Sequence, residues 1–233
     1  MVIMTVDNFV SSSRRSLSQD IQKLKQVWLE LDSNSCPNYY NFHMHTIFSD
    51  GRLEPLQLIK QALDIGLKGF AITDHHNIDA YNIVQNWLEE QECLSPPDLW
   101  TGMEINADLH GVEVHILAYG FSPSYVGLFP YLQGASVTGE MSFAQRVINT
   151  IHDAGGLAVL AHPARYNQPP EKLISASAQL GIDGVETYYA YGNPKPWQAS
   201  LKETELVLKL SKQYGLFSTC GTDTHGLTLT QRI

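Results

Sequence analysis

The sequence predicts an α/β protein built on a parallel sheet or barrel, and three observations carry that prediction. Its 233 residues suit one large domain, and a single α/β barrel can use all of them. From residue 39 onward, short apolar runs alternate with stretches of helical periodicity, the pattern of strands each followed by a helix. Nearly every apolar run ends in a histidine or a carboxylate, and parallel strands of a barrel deliver such ends to one rim.

The elements follow in order. Residues 1–38 read as an N-terminal helical extension to a barrel domain of residues 39–233. Ser11-Ser12-Ser13-Arg14-Arg15 is a polar loop, after which Leu17, Ile21, Leu24, Val27, Trp28 and Leu31 recur at helical spacing. Ser16 with Gln19 resembles a capping box, and the single apolar stripe is expected to pack on the main domain. Seven candidate strands follow, at 41–44, 69–73, 99–103, 112–119, 157–161, 184–187 and 216–220. Candidate helices are 55–65, 79–91, 140–153, 171–180 and 197–214. Between Glu104 and Val112 there is no room for a crossover helix, so Asn106-Ala107-Asp108-Leu109-His110-Gly111 reads as a hairpin turn.

Composition narrows the function classes. With 43% hydrophobic and 17% charged residues the chain can bury a core and is not disordered. Lys and Arg number 15 against 24 Asp and Glu, a net charge of −9 that argues against a broad electrostatic grip on nucleic acid. A small site carrying its own positive charge stays open. Cys36, Cys93 and Cys220 are odd in number, widely spaced and free of any CxxC, so neither a disulfide framework nor a zinc ribbon is expected. That usage fits a reducing compartment. There is no 18-residue apolar run, and the N-terminus lacks the order of a signal peptide, so the expectation is a cytoplasmic protein with no membrane association.

The nine histidines of this acidic chain are the feature to follow, because imidazole and carboxylate together are metal ligands. His43 and His45 stand two apart on an extended run, so their side chains share one side and can grip one ion. The Ser49-Asp50-Gly51 turn can swing a carboxylate back to the same rim. Asp74 and His75 end the second run, Glu104 follows the third, His115 lies in the fourth, and His162 and Glu186 end the fifth and sixth. Asp223 and His225 repeat the two-apart spacing after the seventh.

These motifs have a resemblance. His43-Met44-His45-Thr46, Ser49-Asp50-Gly51, Thr73-Asp74-His75, Gly102-Met103-Glu104, His115-Ile116-Leu117-Ala118-Tyr119, Ala161-His162-Pro163 and Gly221-Thr222-Asp223-Thr224-His225 together resemble the PHP family, the polymerase-and-histidinol-phosphatase type of metal-dependent phosphoesterase. The likeness spans residues 41–225 and leans toward the branch of nucleoside-phosphate phosphatases and 5′-3′ exoribonucleases. It implies a distorted seven-stranded (β/α)7 TIM-like barrel with the N-terminal helical extension added. It also implies two or three divalent metal ions, Zn, Mn, Fe or Mg. One ion would take His43, His45, Glu104 and Asp223; Glu104 would bridge to a second, completed by His115 and His162; a third would take Asp50, His75 and His225. Asn41 stands where an Asp commonly precedes the first histidine pair, and His76 where an Asp commonly follows the Thr-Asp-His run. The stretch between Tyr119 and Leu157 is shorter than the cap of the nucleotide-phosphatase members, which would leave the site open to longer substrates.

The implied chemistry is hydrolysis by a metal-activated hydroxide, since paired divalent ions acidify a shared water and place it in line with phosphorus. Arg165, three residues past His162, is placed to fork onto phosphate oxygens. Asp74 would orient His75 or accept a proton, and His225 or a metal-bound water would protonate the leaving oxygen. His76 would contact substrate or face solvent, and Glu186 would contact substrate or support a ligand. Tyr188, Tyr189, Tyr191 and Trp197 offer either a stacking surface or packing. His152 on its helix, His110 in its turn and Cys220 in the core read as structural. The expected substrate is a nucleotide phosphomonoester or the 5′ end of a short single-stranded oligonucleotide. The alternatives are a small metabolite such as histidinol phosphate, or a metal-binding module without catalysis.

Overall fold

In the computed structural model, residues 18–91 and 96–233 are described; the polar loop at 11–15, the Ser16 cap and Cys93 lie outside them. The first helix among the described residues, α1 (Ile21–Leu29), begins at Asp20, whose carboxylate accepts the Lys23 amide at 2.9 Å. A carboxylate at the cap satisfies an otherwise orphaned N–H. Leu24 and Trp28 form its buried stripe. Trp28 packs edge-on against Phe42 and Tyr119, with ring centroids 6.1 and 5.4 Å away.

A three-stranded parallel sheet follows, in the order β1 (Tyr40–Asn41), β2 (Gly69–Ala71), β3 (Asp98–Trp100), with α2 (Pro55–Ile65) and α3 (Asp79–Glu90) as the crossovers. Leu58, Ile59 and Ala62 of α2 and Tyr81, Val84 and Leu88 of α3 bury together with Phe70 and Ile72. The second sheet has five strands in chain order: β4 (Gly102–Leu109), β5 (Val112–Tyr119), β6 (Leu157–Leu160), β7 (Gly184–Tyr188) and β8 (Phe217–Cys220). Strand β5 runs antiparallel to both neighbours, and β6, β7 and β8 run parallel. The parallel connections are made by α5 (Pro170–Gln179) and α6 (Leu201–Tyr214). Two 3₁₀ turns, Val126–Tyr131 and Gly139–Ser142, and α4 (Ala144–Asp153) fill the stretch between β5 and β6.

The α/β class holds, but the described residues form eight strands in two sheets where the sequence suggested seven in one. The extra strand comes from a break at Thr101. Its amide donates to the Ser18 carbonyl at 3.1 Å and its hydroxyl to the Phe121 carbonyl at 2.9 Å, taking it out of either ladder. Beside it, a Cβ on Gly102 would stand 2.5 Å from the Ile72 carbonyl oxygen, so only glycine lets the chain pass there. The hairpin is tighter than expected. His110 and Gly111 turn at φ 54° and 84°, the left-handed pair that a two-residue hairpin needs, and the ladder runs out to Leu109.

Hydrogen bonds between the sheets cluster at the strand ends. Bridges pair Met44 with Thr224 and His75 with Glu104. The Phe42 amide donates to Cys220 O at 3.1 Å, His45 N to Thr224 O at 3.0 Å, and Asp223 N to His43 O at 2.8 Å. Cys36, in the loop after α1, is disulfide-bonded to Cys220 with a Cα separation of 6.0 Å. The expectation of unpaired cysteines therefore fails: the partners are 184 residues apart, and the contact exists only because the loop folds over the end of β8. Among the described residues no helix is long and apolar enough to cross a membrane.

Candidate metal centre

Strand β1 is short as a regular element, yet the chain stays extended through His45 because its amides are paired on both sides. Alternation then buries Phe42 and Met44 on one side and sets His43 and His45 on the other. Their Nε2 atoms stand 3.1 Å apart, and Glu104 Oε2 lies 2.9 and 3.0 Å from them. Asp223 Oδ1 completes the group at 3.4 and 3.3 Å. This is the first expected set of four, and all four side chains are buried.

Two further groups share members with it. His75, Glu104 and His115 form one, with His115 Nδ1 2.7 Å from Glu104 Oε1 and His75 Nε2 3.5 Å from Glu104 Oε2. His45, Asp50, His75 and His225 form the other, where His225 Nε2 lies 3.1 Å from Asp50 Oδ2. Within each group the candidate ligand atoms lie within 4.8 Å of one another. The structure brings together all nine expected positions. Its partition differs from the expected one: His75 joins Glu104 and His115, His45 reaches the Asp50 group, and His162 stands beside them with Nε2 3.4 Å from Glu104 Oε1.

Lone-pair accounting tests whether these residues fit a cation. His43 Nδ1 is 2.9 Å from Glu186 Oε1 and must donate to it, which leaves the Nε2 lone pair facing His45 Nε2 and the Glu104 carboxylate. His225 Nδ1 donates to the Asp223 carbonyl at 2.7 Å, so its Nε2 lone pair likewise faces Asp50. Acceptors meeting acceptors require a proton or a metal ion between them. With protons alone, burial opposes charge on His43, but Glu104, Glu186 and Asp223 outweigh it and raise its pKa well above normal. Burial also opposes charge on His45, yet hydrogen bonds to Asp223 and Glu104 lift it to about 9. Glu104 and Asp223 stay ionised well below the carboxylate range against their burial, held there foremost by His43. Both ring nitrogens of buried His162 lack a hydrogen-bond partner, as does His75 Nδ1. A mixed nitrogen and oxygen set with unmatched lone pairs fits a borderline divalent ion.

A ring of supporting bonds sets these orientations. Glu186, expected to contact substrate or support a ligand, takes the supporting place and is fully enclosed: Oε1 takes the His43 ring and Oε2 accepts the His162 amide at 2.8 Å. Asp74, expected to orient His75 or take a proton, instead accepts three donors, Thr46 N at 2.7 Å, Ser49 Oγ at 2.6 Å and Thr46 Oγ1 at 2.6 Å. It fastens the turn that carries Asp50. His76, expected to meet substrate or solvent, is buried, with Nε2 accepting the Asn106 amide at 3.2 Å and Nδ1 3.3 Å from the Tyr131 carbonyl. Its backbone amide bonds Glu104 O at 3.0 Å, so it braces β4. Asn41 ties the ends of β1 and β8, accepting the Thr222 amide at 3.1 Å and donating to Thr222 Oγ1 at 2.8 Å. His76, His162 and Asp223 all hold positive φ (52°, 27° and 53°), strain that bulky residues keep only where surrounding contacts over-determine it.

Arg165, expected to fork onto phosphate oxygens, has its Nη1 2.8 Å from Asp223 Oδ2. Two partners of that oxygen were missed: Tyr189 Oη donates at 2.6 Å and Arg232 Nε at 2.8 Å. Arg232 follows His225 by seven residues and belongs to none of the motifs, so no local signal announced it. The other aromatics pack: Tyr188 Oη donates to Leu31 O at 3.2 Å and Tyr191 Oη accepts the Ala164 amide at 3.2 Å. His152 pairs with Asp183 away from the centre, as expected.

Fold and site define an α/β protein with clustered histidines and carboxylates able to hold metal ions. A family model for the PHP domain matches residues 41–227. The chain belongs to the PHP family. It is 23% identical to the 5′-3′ exoribonuclease of Haemophilus influenzae, in an alignment covering 80% of this chain and 89% of the relative. A Thermotoga maritima protein named "Probable histidinol-phosphatase" is 32% identical over 133 residues, 54% of this chain and 56% of the relative. The structure of a Bifidobacterium adolescentis protein described as a metal-dependent phosphoesterase superposes with a TM-score of 0.65 at 22% identity, covering 82% of this chain and 88% of that one. At the level of class, this is a PHP-domain protein with a candidate metal centre.

Proposed function

We propose that the protein hydrolyses a nucleotide phosphomonoester or the 5′ end of a short oligonucleotide, using two or three divalent ions held by His43, His45, Asp50, His75, Glu104, His115, His162, Asp223 and His225. The observation that carries this reading is the convergence of eight of those side chains into overlapping groups that share His45, His75 and Glu104, with His162 Nε2 beside them at 3.4 Å from Glu104 Oε1. The hydrogen bonds bridging the two sheets support a single distorted barrel, with the site at its rim.

Divalent ions at such a centre supply Lewis acidity toward a phosphoryl oxygen and toward water. The chain's own groups do the rest. Glu186 fixes the His43 tautomer, Asp74 holds the Thr46–Ser49 turn, and Arg165 offers a guanidinium beside Asp223 for the phosphate. His225, part-exposed at the site, spends Nδ1 on the Asp223 carbonyl and turns Nε2 to Asp50, which suits it to hold an ion rather than to deliver a proton.

The nucleotide reading draws support from the exoribonuclease name of the Haemophilus relative. A small metabolite such as histidinol phosphate is the second reading, supported by the Thermotoga relative. A module without catalysis is disfavoured because all nine candidate ligands are present. The test is phosphate release from nucleoside monophosphates, bisphosphates, short 5′-phosphorylated RNA and histidinol phosphate, with Asp50→Ala, Glu104→Ala and Asp223→Ala beside the wild type. The three variants are expected to lose turnover while staying folded. Undiminished turnover in all three would sink the proposal, and histidinol phosphate as the best substrate would replace it with the second reading.

A further inference from the structure

We infer that Arg232 is a second phosphate-gripping residue, forming with Arg165 a two-guanidinium clamp on either side of Asp223; this deepens the phosphoesterase reading and rests on it.

Asp223 turns Oδ1 toward the rings of His43, His45 and His225, at 3.4, 3.3 and 3.4 Å, and leaves only Oδ2 for other donors. That oxygen takes Arg165 Nη1 at 2.8 Å, Arg232 Nε at 2.8 Å and Tyr189 Oη at 2.6 Å. An arginine that merely neutralises a carboxylate commonly uses its fork on both oxygens. Neither arginine does so here. Each places one N–H on a shared oxygen and also bonds the Tyr189 hydroxyl, Arg165 Nη1 at 3.3 Å, and neither closes a fork on the carboxylate.

Arg232 is held in place from behind. Its carbonyl accepts the amides of His225 and Gly226 at 2.6 and 3.1 Å. Leu229, three residues earlier, is fully buried; its amide donates to Gln61 Oε1 at 3.0 Å and its carbonyl accepts from Asn41 Nδ2 at 3.2 Å. Gln61 also donates to the Leu227 carbonyl at 2.9 Å. The side chain is nonetheless 22% exposed, and that of Arg165 37%, so both reach solvent where a ligand arrives. A guanidinium on an anchored backbone beside a metal-type cluster is preorganised for a phosphate oxygen, since little entropy is left to lose on binding.

The experiment is calorimetric titration of inorganic phosphate into the metal-loaded protein, with wild type, R165A, R232A and R232K, each checked for metal content by elemental analysis and for turnover on a phosphomonoester. R232A should weaken phosphate binding by about tenfold or more at unchanged metal content, and raise KM more than it lowers kcat. R232K keeps the charge without the fork and should fall between wild type and R232A; it carries the test if R232A does not fold. Phosphate affinity in R232A or R232K equal to wild type would overturn the inference, as would a metal content that falls in step with phosphate affinity, because Arg232 would then serve only to hold Asp223. Wild type that releases phosphate from esters while R232A binds it normally overturns the clamp alone. Wild type that neither binds nor releases phosphate overturns both readings.

Discussion

Glu186 Oε1 sits 2.9 Å from Nδ1 of His43, and Oε2 of the same carboxylate accepts the backbone amide of His162 at 2.8 Å. One buried side chain therefore orients two residues of the cluster from strands far apart in sequence. Glu186→Gln keeps the volume but removes the charge that fixes the His43 tautomer. Such supporting carboxylates typically contribute 10–100-fold in metal affinity, so a chelator-competition titration of Glu186→Gln should show a loss of about that size with the fold retained. Wild-type affinity in this variant would mean that Glu186 is a packing residue.

Glu104 belongs to two of the three groups, and both its oxygens are used. Metal bound only to the native state stabilises it by mass action, about 2.7 kcal/mol when free metal is 100 times its Kd. Titrating Mn²⁺ or Zn²⁺ into chelator-treated wild type should raise Tm by several degrees. Glu104→Ala should forfeit most of that rise, and an equal rise in both proteins would detach Glu104 from metal binding.

Gly221 lets β8 pass β1 at the centre. A Cβ there would overlap the His43 Cβ and stand 2.7 Å from the His43 backbone nitrogen. Overpacking typically costs about 1–3 kcal/mol, and Gly221→Ala should reach the upper part of that range because the obstacle is backbone. A denaturant midpoint within error of wild type would contradict the close approach.

His152 Nε2 lies 2.8 Å from Asp183 Oδ2, and the hydrogen bond to Asp183 is the main cause that raises the His152 pKa. A histidine with a raised folded-state pKa contributes stability that is full below its unfolded value, near 6.5, and is lost as pH rises through the folded value. The pair is partly exposed, so its contribution should be below about 1 kcal/mol. His152→Gln should thus lower Tm measurably at pH 5.5 and leave it nearly unchanged at pH 9. A deficit that grows toward pH 9 has the wrong sign for this pair.

Much of the centre was legible because its ligand types repeat at strand ends. His43 and His45 had to share a side once the run was extended, and Asp223 with His225 followed the same rule. The supporting residues were not legible in the same way. Glu186, Asp74 and His76 carry the same residue types as the candidate ligands and also stand at strand ends, so position alone left each with two roles: substrate contact or support for Glu186, orienting His75 or taking a proton for Asp74, and substrate or solvent for His76. Their bonds to His43, Thr46 and Asn106 span 143, 28 and 30 residues of sequence, and no local pattern records such pairings.

By itself the sequence determined the alternation of strand and helix, the hairpin between β4 and β5, and the identity of the nine clustered side chains, because periodicity and residue type are local properties. Tertiary structure alone decided the break at Thr101 and the two sheets it separates, the Cys36–Cys220 bond, and the sharing of His75 between two groups. It also decided that Arg232 meets Asp223. Each of these depends on which distant backbones approach one another, and that is set by packing and by glycines at crossings such as Gly102 and Gly221. The charge of a site in an acidic chain is likewise a matter of assembly: Arg165 reaches Asp223 from the loop after β6, and Arg232 reaches it because the segment after His225 folds back onto β1 and α2.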